Sequence, residues 1–127
     1  MDKFIYIFVG GGIGSVIRYL LSGWSFKWIG TGFPFGTFSV NIIGSFLIGA
    51  LWAFSEDFIK LSPNGRSFLF VGFLGGFTTF STYTLETLNL IRGGEYSKAI
   101  LNVISMNLAG LILVFAGFIL ARYILKK

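Results

Sequence analysis

Residues 67–84 read SFLFVGFLGGFTTFSTYT, and this stretch decides the architecture that the sequence predicts. Its first part is apolar enough to enter a bilayer, whereas Gly75 and Gly76 are followed by threonine, serine and tyrosine. Adjacent glycines and β-branched threonines are poor formers of continuous helix. We therefore predict a membrane-spanning helix that is broken near its centre. The backbone groups freed by the break must be buried in protein or line a cavity, because lipid cannot satisfy them.

The rest of the chain has the composition of a membrane protein. Of its 127 residues, 54% are hydrophobic and only 12% are charged, whereas about a quarter of the residues in a soluble domain are charged. Four segments have the length and apolarity of a bilayer-spanning helix: Phe4–Ser22, Gly36–Phe54, Ser67–Ile91 and Ala99–Tyr123. The first lacks a small-residue cleavage site, so we expect it to be retained. We predict an all-α integral membrane protein, with residues 1–127 forming a single four-helix transmembrane domain.

The residue types exclude several classes of chemistry. The sequence has no cysteine and no histidine, which excludes thiol nucleophiles, histidine bases and the commonest zinc ligands. Of the five carboxylates, only Glu86 lies within an apolar segment. No nucleophile–base pair is visible, so we do not expect an enzyme. The net charge of +5 comes mostly from basic residues at the ends of the apolar segments, where they meet a lipid bilayer rather than nucleic acid.

Polar side chains within the predicted spans are the candidate functional residues, because they are costly in lipid unless they pair or face water. Asn41 is either an interhelical hydrogen-bonding residue or a neutral donor. Phe80 and Tyr83 share one helix face, beside a stripe of hydroxyls and Glu86, which favours a permeation path. Arg18 either extends to the interface or lies at a water-filled mouth that attracts anions. The fourth span carries Asn102, Ser105 and Asn107, whose role the sequence leaves open.

Glycine spacing predicts where the helices pack closely. Gly10 with Gly14, and Gly72 with Gly76, form two GxxxG pairs, and Gly110 and Gly117 lie one heptad apart. Small residues on one face allow helix backbones to approach in lipid. We therefore expect these glycines to lie at helix–helix contacts.

Taken together, three motifs resemble those of the small bacterial fluoride channels, the Fluc family, also called CrcB. They run from Gly11–Gly12 to Arg18–Tyr19, from Gly36–Thr37 through Val40–Asn41 to Gly44, and from Gly75 to Thr82. The resemblance covers essentially the whole chain. It implies a fluoride-selective ion channel that exports fluoride passively and so reduces its toxicity in the cytoplasm. It further implies a bacterial plasma (inner) membrane location and an antiparallel, dual-topology homodimer with two pores.

The resemblance also implies roles for individual residues. Asn41, Phe80, Tyr83, Ser81 and Thr82 fall at the fluoride pore, and Arg18 and Glu86 fall near its entrances. The backbone carbonyls of Gly75 and Thr78 fall at a structural sodium ion (Na⁺) shared by the two subunits at the dimer interface.

The chain departs from the family pattern at two positions. Tyr83 replaces a phenylalanine, and Met106 replaces a serine, with Ser105 beside it. We expect the Tyr83 hydroxyl to turn to a neighbour such as a serine or threonine hydroxyl, because a buried hydroxyl seeks a permanent partner.

The positions of Lys and Arg in the loops indicate the orientation of the chain in the membrane, because cytoplasmic loops carry an excess of these residues. The termini and the loop between the second and third spans carry six basic residues, and the opposite side carries three or four. The first group is Lys3, Lys60, Arg66, Arg122, Lys126 and Lys127, and the second is Lys27, Arg92 and Lys98, with Arg18 nearby. So small a bias favours cytoplasmic termini and permits dual insertion.

Two other functions compete with a fluoride channel. A small dual-topology proton-coupled exporter has a similar length, but it needs a titratable carboxylate in the membrane, typically in the first span, where this chain has none. A helper subunit that only packs against a larger complex would not need the run of hydroxyls in the third span.

Overall fold

The fold was analysed in a computed structural model, which describes the backbone of residues 2–29 and 32–126 and the side chains of 2–25 and 32–126. The side chain of Lys27 and all of Lys127, both used in the charge argument, lie outside the described residues. The helices are α1 (Asp2–Ile29), α2 (Phe35–Asp57), α3 (Pro63–Arg66), a π-helical segment (Ser67–Leu74), α4 (Gly75–Phe77), α5 (Phe80–Arg92) and α6 (Tyr96–Leu125).

In this part of the chain, four segments are long and apolar enough to cross a membrane: Asp2–Ser25, Phe35–Asp57, Pro63–Arg92 and Tyr96–Leu125. The third span therefore comprises α3, the π-helical segment, α4 and α5. The four predicted spans are confirmed, and each predicted segment is shorter than the observed one. Hydropathy marks the part of a helix that lies in lipid, whereas the hydrogen-bonded helix continues into the interface.

Glycine brings α1 against the first half of the third span. A Cβ atom built on Gly76 would lie only 2.5 Å from the carbonyl oxygen of Gly11, and one on Gly10 would lie 2.5 Å from that of Phe68. A Cβ atom on Gly14 or Gly72 would also lie less than 3.0 Å from an opposing backbone carbonyl oxygen. The predicted packing role of both GxxxG pairs is confirmed. Because the contacts advance along both segments together, these two elements run in the same direction.

A second glycine contact joins α2 to α6. Gly49 lies against the backbone of Val114, and Gly117 lies against that of Phe46. Gly110, in contrast, is not at a close backbone contact. A Cβ atom there would lie 3.5 Å from Ser45 Oγ, which is an ordinary van der Waals distance. Successive spans alternate in direction, so the second and fourth spans, like the first and third, pair in parallel.

The break in the third span is confirmed, and it lies at the threonines rather than at the glycines. Thr78 (φ −90°, ψ 158°) and Thr79 (φ −149°, ψ 116°) are extended. Gly75 and Gly76 remain helical, and Gly76 lies against the backbone of α1. The π-helical geometry of Ser67–Leu74 just before the break was not predicted.

Candidate functional site

Asn41 of α2 holds the extended backbone at the break with both ends of its side-chain amide. Its Nδ2 donates to the Thr79 carbonyl at 3.0 Å, and its Oδ1 accepts from the Thr79 N–H at 2.8 Å. A neutral amide is suited to this, because it both donates and accepts without burying a charge. The second hydrogen of Nδ2 points to Met106 Sδ at 3.5 Å, and a thioether is a weak acceptor. The sequence left open whether Asn41 forms an interhelical hydrogen bond or acts as a neutral donor, and the structure shows the interhelical bond directly.

The Thr79 side chain starts the second half of the span. Its Oγ1 accepts from the Thr82 N–H at 3.2 Å, which is the N-cap position of α5. The same hydroxyl donates to Thr82 Oγ1 at 3.1 Å and lies 3.3 Å from Ser81 Oγ. The predicted pore hydroxyls of Ser81 and Thr82 are therefore joined to the break through Thr79. Thr79 was not among the predicted pore or sodium-binding residues, although a threonine directly before a helical pattern is a recognised N-cap signal.

An open groove of about 350 Å³ lies beside the break. It brings together Asn41, Phe80 and Tyr83, three of the five predicted pore residues, and also the predicted sodium ligands Gly75 and Thr78. The rings of Phe80 and Tyr83 are tilted against each other, with centroids 5.6 Å apart. Tyr83 is 6% exposed, whereas Phe80 is 76% exposed and projects from the chain.

The Tyr83 hydroxyl has a partner, but not the predicted kind. Asn107 Nδ2 donates to Tyr83 Oη at 3.3 Å. The hydroxyl thus has a neighbouring partner as expected, but this partner is an amide of α6 rather than a serine or threonine hydroxyl. In this contact the tyrosine oxygen accepts rather than donates.

A buried polar cluster lies farther along α5. Thr37 Oγ1 donates to Glu86 Oε1 at 2.7 Å, and Asn102 Nδ2 donates to Thr87 Oγ1 at 2.9 Å. Asn102 is fully buried. Glu86 Oε2 and Asn102 Oδ1 have no hydrogen-bond partner among the described residues. Two buried acceptors without donors are costly, so each has hydrogen-bonding capacity that a further donor could use.

Arg18 lies against the break. Its Nε donates to the carbonyl of Gly76 at 2.9 Å, and the residue is half-buried. The end of a helical segment carries partial negative charge on its unpaired carbonyls, which an arginine stabilises. The structure therefore places the Arg18 guanidinium at the break.

The carbonyls of Gly75 and Thr78 have both lost their usual helical donors. The Thr79 N–H, which would close a helical turn on Gly75, is bonded to Asn41 Oδ1. The Thr82 N–H, which would close a turn on Thr78, is bonded to Thr79 Oγ1. Carbonyl oxygens freed at a helix break are recurrent ligands for sodium. The donor set therefore fits a hard monovalent cation, and no cluster of three acidic, histidine or cysteine side chains that could hold another metal occurs in the described part of the chain.

Comparison with known proteins places this arrangement in a family. The sequence model described as "CrcB-like protein, Camphor Resistance (CrcB)" matches residues 5–118. The chain belongs to the CrcB family. A protein named "Fluoride-specific ion channel FluC" from Parabacteroides distasonis is 49% identical over 125 residues, which cover 98% of this chain and 97% of that protein.

Two further proteins of that name show that the CrcB match extends over whole chains. The one from Geotalea daltonii is 46% identical over 98% of this chain and its own full length. The one from Maridesulfovibrio salexigens is 41% identical over 99% of this chain and also its own full length. All the site residues named above lie inside the segment matched by the CrcB model.

Proposed function

We propose that this protein is a fluoride-selective channel, and not an enzyme, that lets fluoride leave the cell passively. The observation that carries the proposal is the arrangement at the break, where neutral amide, hydroxyl and aromatic groups line one groove beside a span held open by Asn41. The FluC proteins, which align along essentially their entire length, support it by name. We place the protein in the bacterial plasma (inner) membrane, where such efflux lowers toxic fluoride in the cytoplasm.

The groove suits a small, strongly hydrated anion. Such an ion sheds water only where donors replace it, and it must also be able to leave. The second Nδ2 hydrogen of Asn41 is held only by the sulfur of Met106 at 3.5 Å, so an anion can displace that contact at small cost. The rings of Phe80 and Tyr83 add the partial positive charge of their edges. The hydroxyls of Ser81 and Thr82 extend the line of donors along α5.

Arg18 and Glu86 are proposed to set the field along this path rather than to bind the ion tightly. The Nε of Arg18 is bonded to Gly76, which leaves the rest of its guanidinium to raise the local anion concentration. Glu86 is bonded through Oε1 to Thr37, so its free oxygen marks one end of the polar route.

The test of the channel proposal is ion flux from liposomes containing purified protein. Fluoride efflux is expected down its own gradient without an imposed proton gradient, and chloride efflux should be far slower. Protein-free liposomes and liposomes with a Phe80→Ile variant serve as controls. Equal fluoride and chloride fluxes, or efflux that requires a proton gradient, would contradict the proposal; the second result would favour the exporter, with Glu86 as its candidate carboxylate.

We propose further that two chains associate in antiparallel orientation to form two pores. Phe80 is highly exposed and the groove is open on the surface of one chain, so a pore wall is missing unless a second copy supplies it. A two-fold axis would generate both pores at once. The native chain contains no cysteine, so a cysteine added at the C-terminus is the only thiol of the protein. The side of the membrane from which this thiol is labelled in cells reports the orientation of the chain. Both sides should label; labelling from one side only would exclude dual topology.

Sodium is proposed to bind at the break through the carbonyls of Gly75 and Thr78 from both subunits. When bound, the cation would link the two breaks and offset repulsion between anions in the adjacent pores. The detergent-solubilised dimer should unfold at a lower temperature when sodium is replaced by N-methyl-D-glucamine, because ligands that bind the folded state stabilise it. Equal unfolding temperatures, with dimer content also unchanged, would remove the sodium assignment.

A further inference from the structure

The contact between Tyr83 and Asn107 fixes which atom of each side chain acts as donor. Asn107 Nδ2 lies 2.8 Å from the backbone carbonyl of Val103 and 3.3 Å from Tyr83 Oη. A carbonyl can only accept, so the atom facing Val103 must be the amide nitrogen and not the amide oxygen. Both amide hydrogens are thereby assigned, one to Val103 and one to Tyr83.

This assignment leaves the phenolic hydrogen of Tyr83 unpaired. The tyrosine oxygen receives the amide hydrogen, and in the described residues its own hydrogen meets no acceptor. Tyr83 is 6% exposed, and buried hydroxyl groups are generally bonded. Both Tyr83 and Asn107 line the groove beside Asn41 and Thr79, so an acceptor within the groove can take this hydrogen.

We propose that Tyr83 donates its phenolic hydrogen to the permeating anion and that Asn107 is the positioning residue that keeps it available. This inference rests on the proposed fluoride channel and adds to it a donor that phenylalanine lacks. Fluoride is small and accepts hydrogen bonds strongly, whereas chloride is larger and accepts them weakly. The hydroxyl therefore raises affinity for fluoride and discrimination against chloride, while the ring edges of Phe80 and Tyr83 act on anions more generally.

The proposal assigns different consequences to removing the donor and to misdirecting it. Tyr83→Phe deletes the hydroxyl and keeps the ring. Asn107→Leu keeps the hydroxyl and removes the amide that orients it. Asn107→Asp replaces the donor by an acceptor, which would capture the phenolic hydrogen and withhold it from the anion.

The measurement is the fluoride concentration for half-maximal efflux, together with the fluoride-to-chloride flux ratio, in liposomes. Tyr83→Phe should raise the half-maximal concentration about tenfold, the effect of one hydrogen bond to a charged group, and lower the flux ratio. Asn107→Asp and Asn107→Leu should shift both quantities in the same direction. In the Tyr83→Phe background, Asn107→Leu should add almost nothing, because the group it positions is gone.

Tyr96→Phe is the matched control, since it removes a phenolic oxygen from an exposed residue away from the groove. It should leave both quantities unchanged. Thermal unfolding of every variant is measured alongside, since a purely structural role for Asn107 would lower stability without changing half-saturation.

The outcomes separate this inference from the function on which it rests. A wild-type protein that passes no fluoride overturns the channel proposal itself. A conducting wild type with unchanged half-saturation in Tyr83→Phe overturns only the hydroxyl donor. A shift in Tyr83→Phe that Asn107→Leu fails to reproduce, or that adds fully to it in the double variant, overturns the positioning role of Asn107.

Discussion

Before its break the third span packs against α1 through glycines, and after its break it is joined to α2 and α6 by amides, hydroxyls and a carboxylate. Gly72 and Gly76 bring two backbones together so closely that no side chain fits between them. On α5, Glu86 bonds to Thr37, and Thr87 bonds to Asn102. The first contact depends on close backbone packing, and the second depends on side-chain hydrogen bonds.

For the proposed channel, this difference predicts which side of the third span an ion follows. The close backbone packing between α1 and the first half of the third span leaves no space for an ion. Polar side chains with weak or missing partners, such as Asn41 facing Met106 sulfur, can exchange them for an ion. The break at Thr78 and Thr79 marks the point where the third span changes from the first kind of contact to the second.

The largest expected effect comes from adding a methyl group to the glycine contact. A Cβ on Gly14 would meet the Phe73 carbonyl and lie 2.9 Å from the Phe77 nitrogen. Backbone atoms cannot rotate away, so Gly14→Ala should destabilise the fold by about 3 kcal/mol or more. Gly12→Ala is the control, since a Cβ there meets nothing within 4 Å. Detergent thermal unfolding of the two variants measures the difference, and equal stabilities would show that the glycine contact is not tight.

On the polar side, Asn41→Asp should act on flux more than on shape. The carboxylate keeps the acceptor for the Thr79 N–H but has no hydrogen for the Thr79 carbonyl, and it repels an anion. Leaving one buried group unpaired costs about 1–3 kcal/mol, and we expect fluoride efflux to fall by at least about tenfold. Asn64→Asp, near the start of the third span and away from the groove, controls for the added charge. Undiminished efflux in Asn41→Asp would remove the residue from the path.

Phe80→Ile is expected to lower fluoride efflux while leaving the stability of the fold almost unchanged. The ring is 76% exposed on the chain, so its loss should change the stability of the four-helix fold by less than about 0.5 kcal/mol. Fluoride efflux should fall about tenfold, because the aromatic edge is lost. Leu85→Ile, at another exposed position of α5, is the control. A normal efflux rate in Phe80→Ile would show that this ring is not part of the pore wall.

The smallest effect is expected at an exposed ion pair that joins the ends of α2 and α6. Asp57 and Arg122 form an ion pair whose side chains are about half exposed. Such pairs contribute about 0.2–1 kcal/mol and are screened by salt. Asp57→Asn should therefore lower stability slightly in low salt, with a difference that shrinks as salt is raised and with no change in efflux. A larger loss that persists in high salt would show that this pair orders the two helices.

Four features were predictable from the sequence alone: the membrane environment, the number of spans, the close packing of the two GxxxG pairs and the break in the third span. Each of these depends on composition or on short spacings, since lipid requires about 20 apolar residues per helix and close approach requires small residues. Asn41 and Phe80 became candidate site residues because a polar group or an aromatic stripe in a span is conspicuous, and the resemblance to the Fluc family implied their place at the pore.

The tertiary structure was needed to show which polar groups already have hydrogen-bond partners and which do not. The rotation and depth of neighbouring helices determine these partners. Asn41 bonds to both polar atoms of the Thr79 backbone, and Arg18 donates to the Gly76 carbonyl. Asn107 donates to the Tyr83 hydroxyl oxygen. Hydrophobic periodicity specifies a helix face but not the hydrogen-bond partner opposite it. The exact position of the break has the same cause, because Asn41 of α2 holds the Thr79 backbone in its extended conformation.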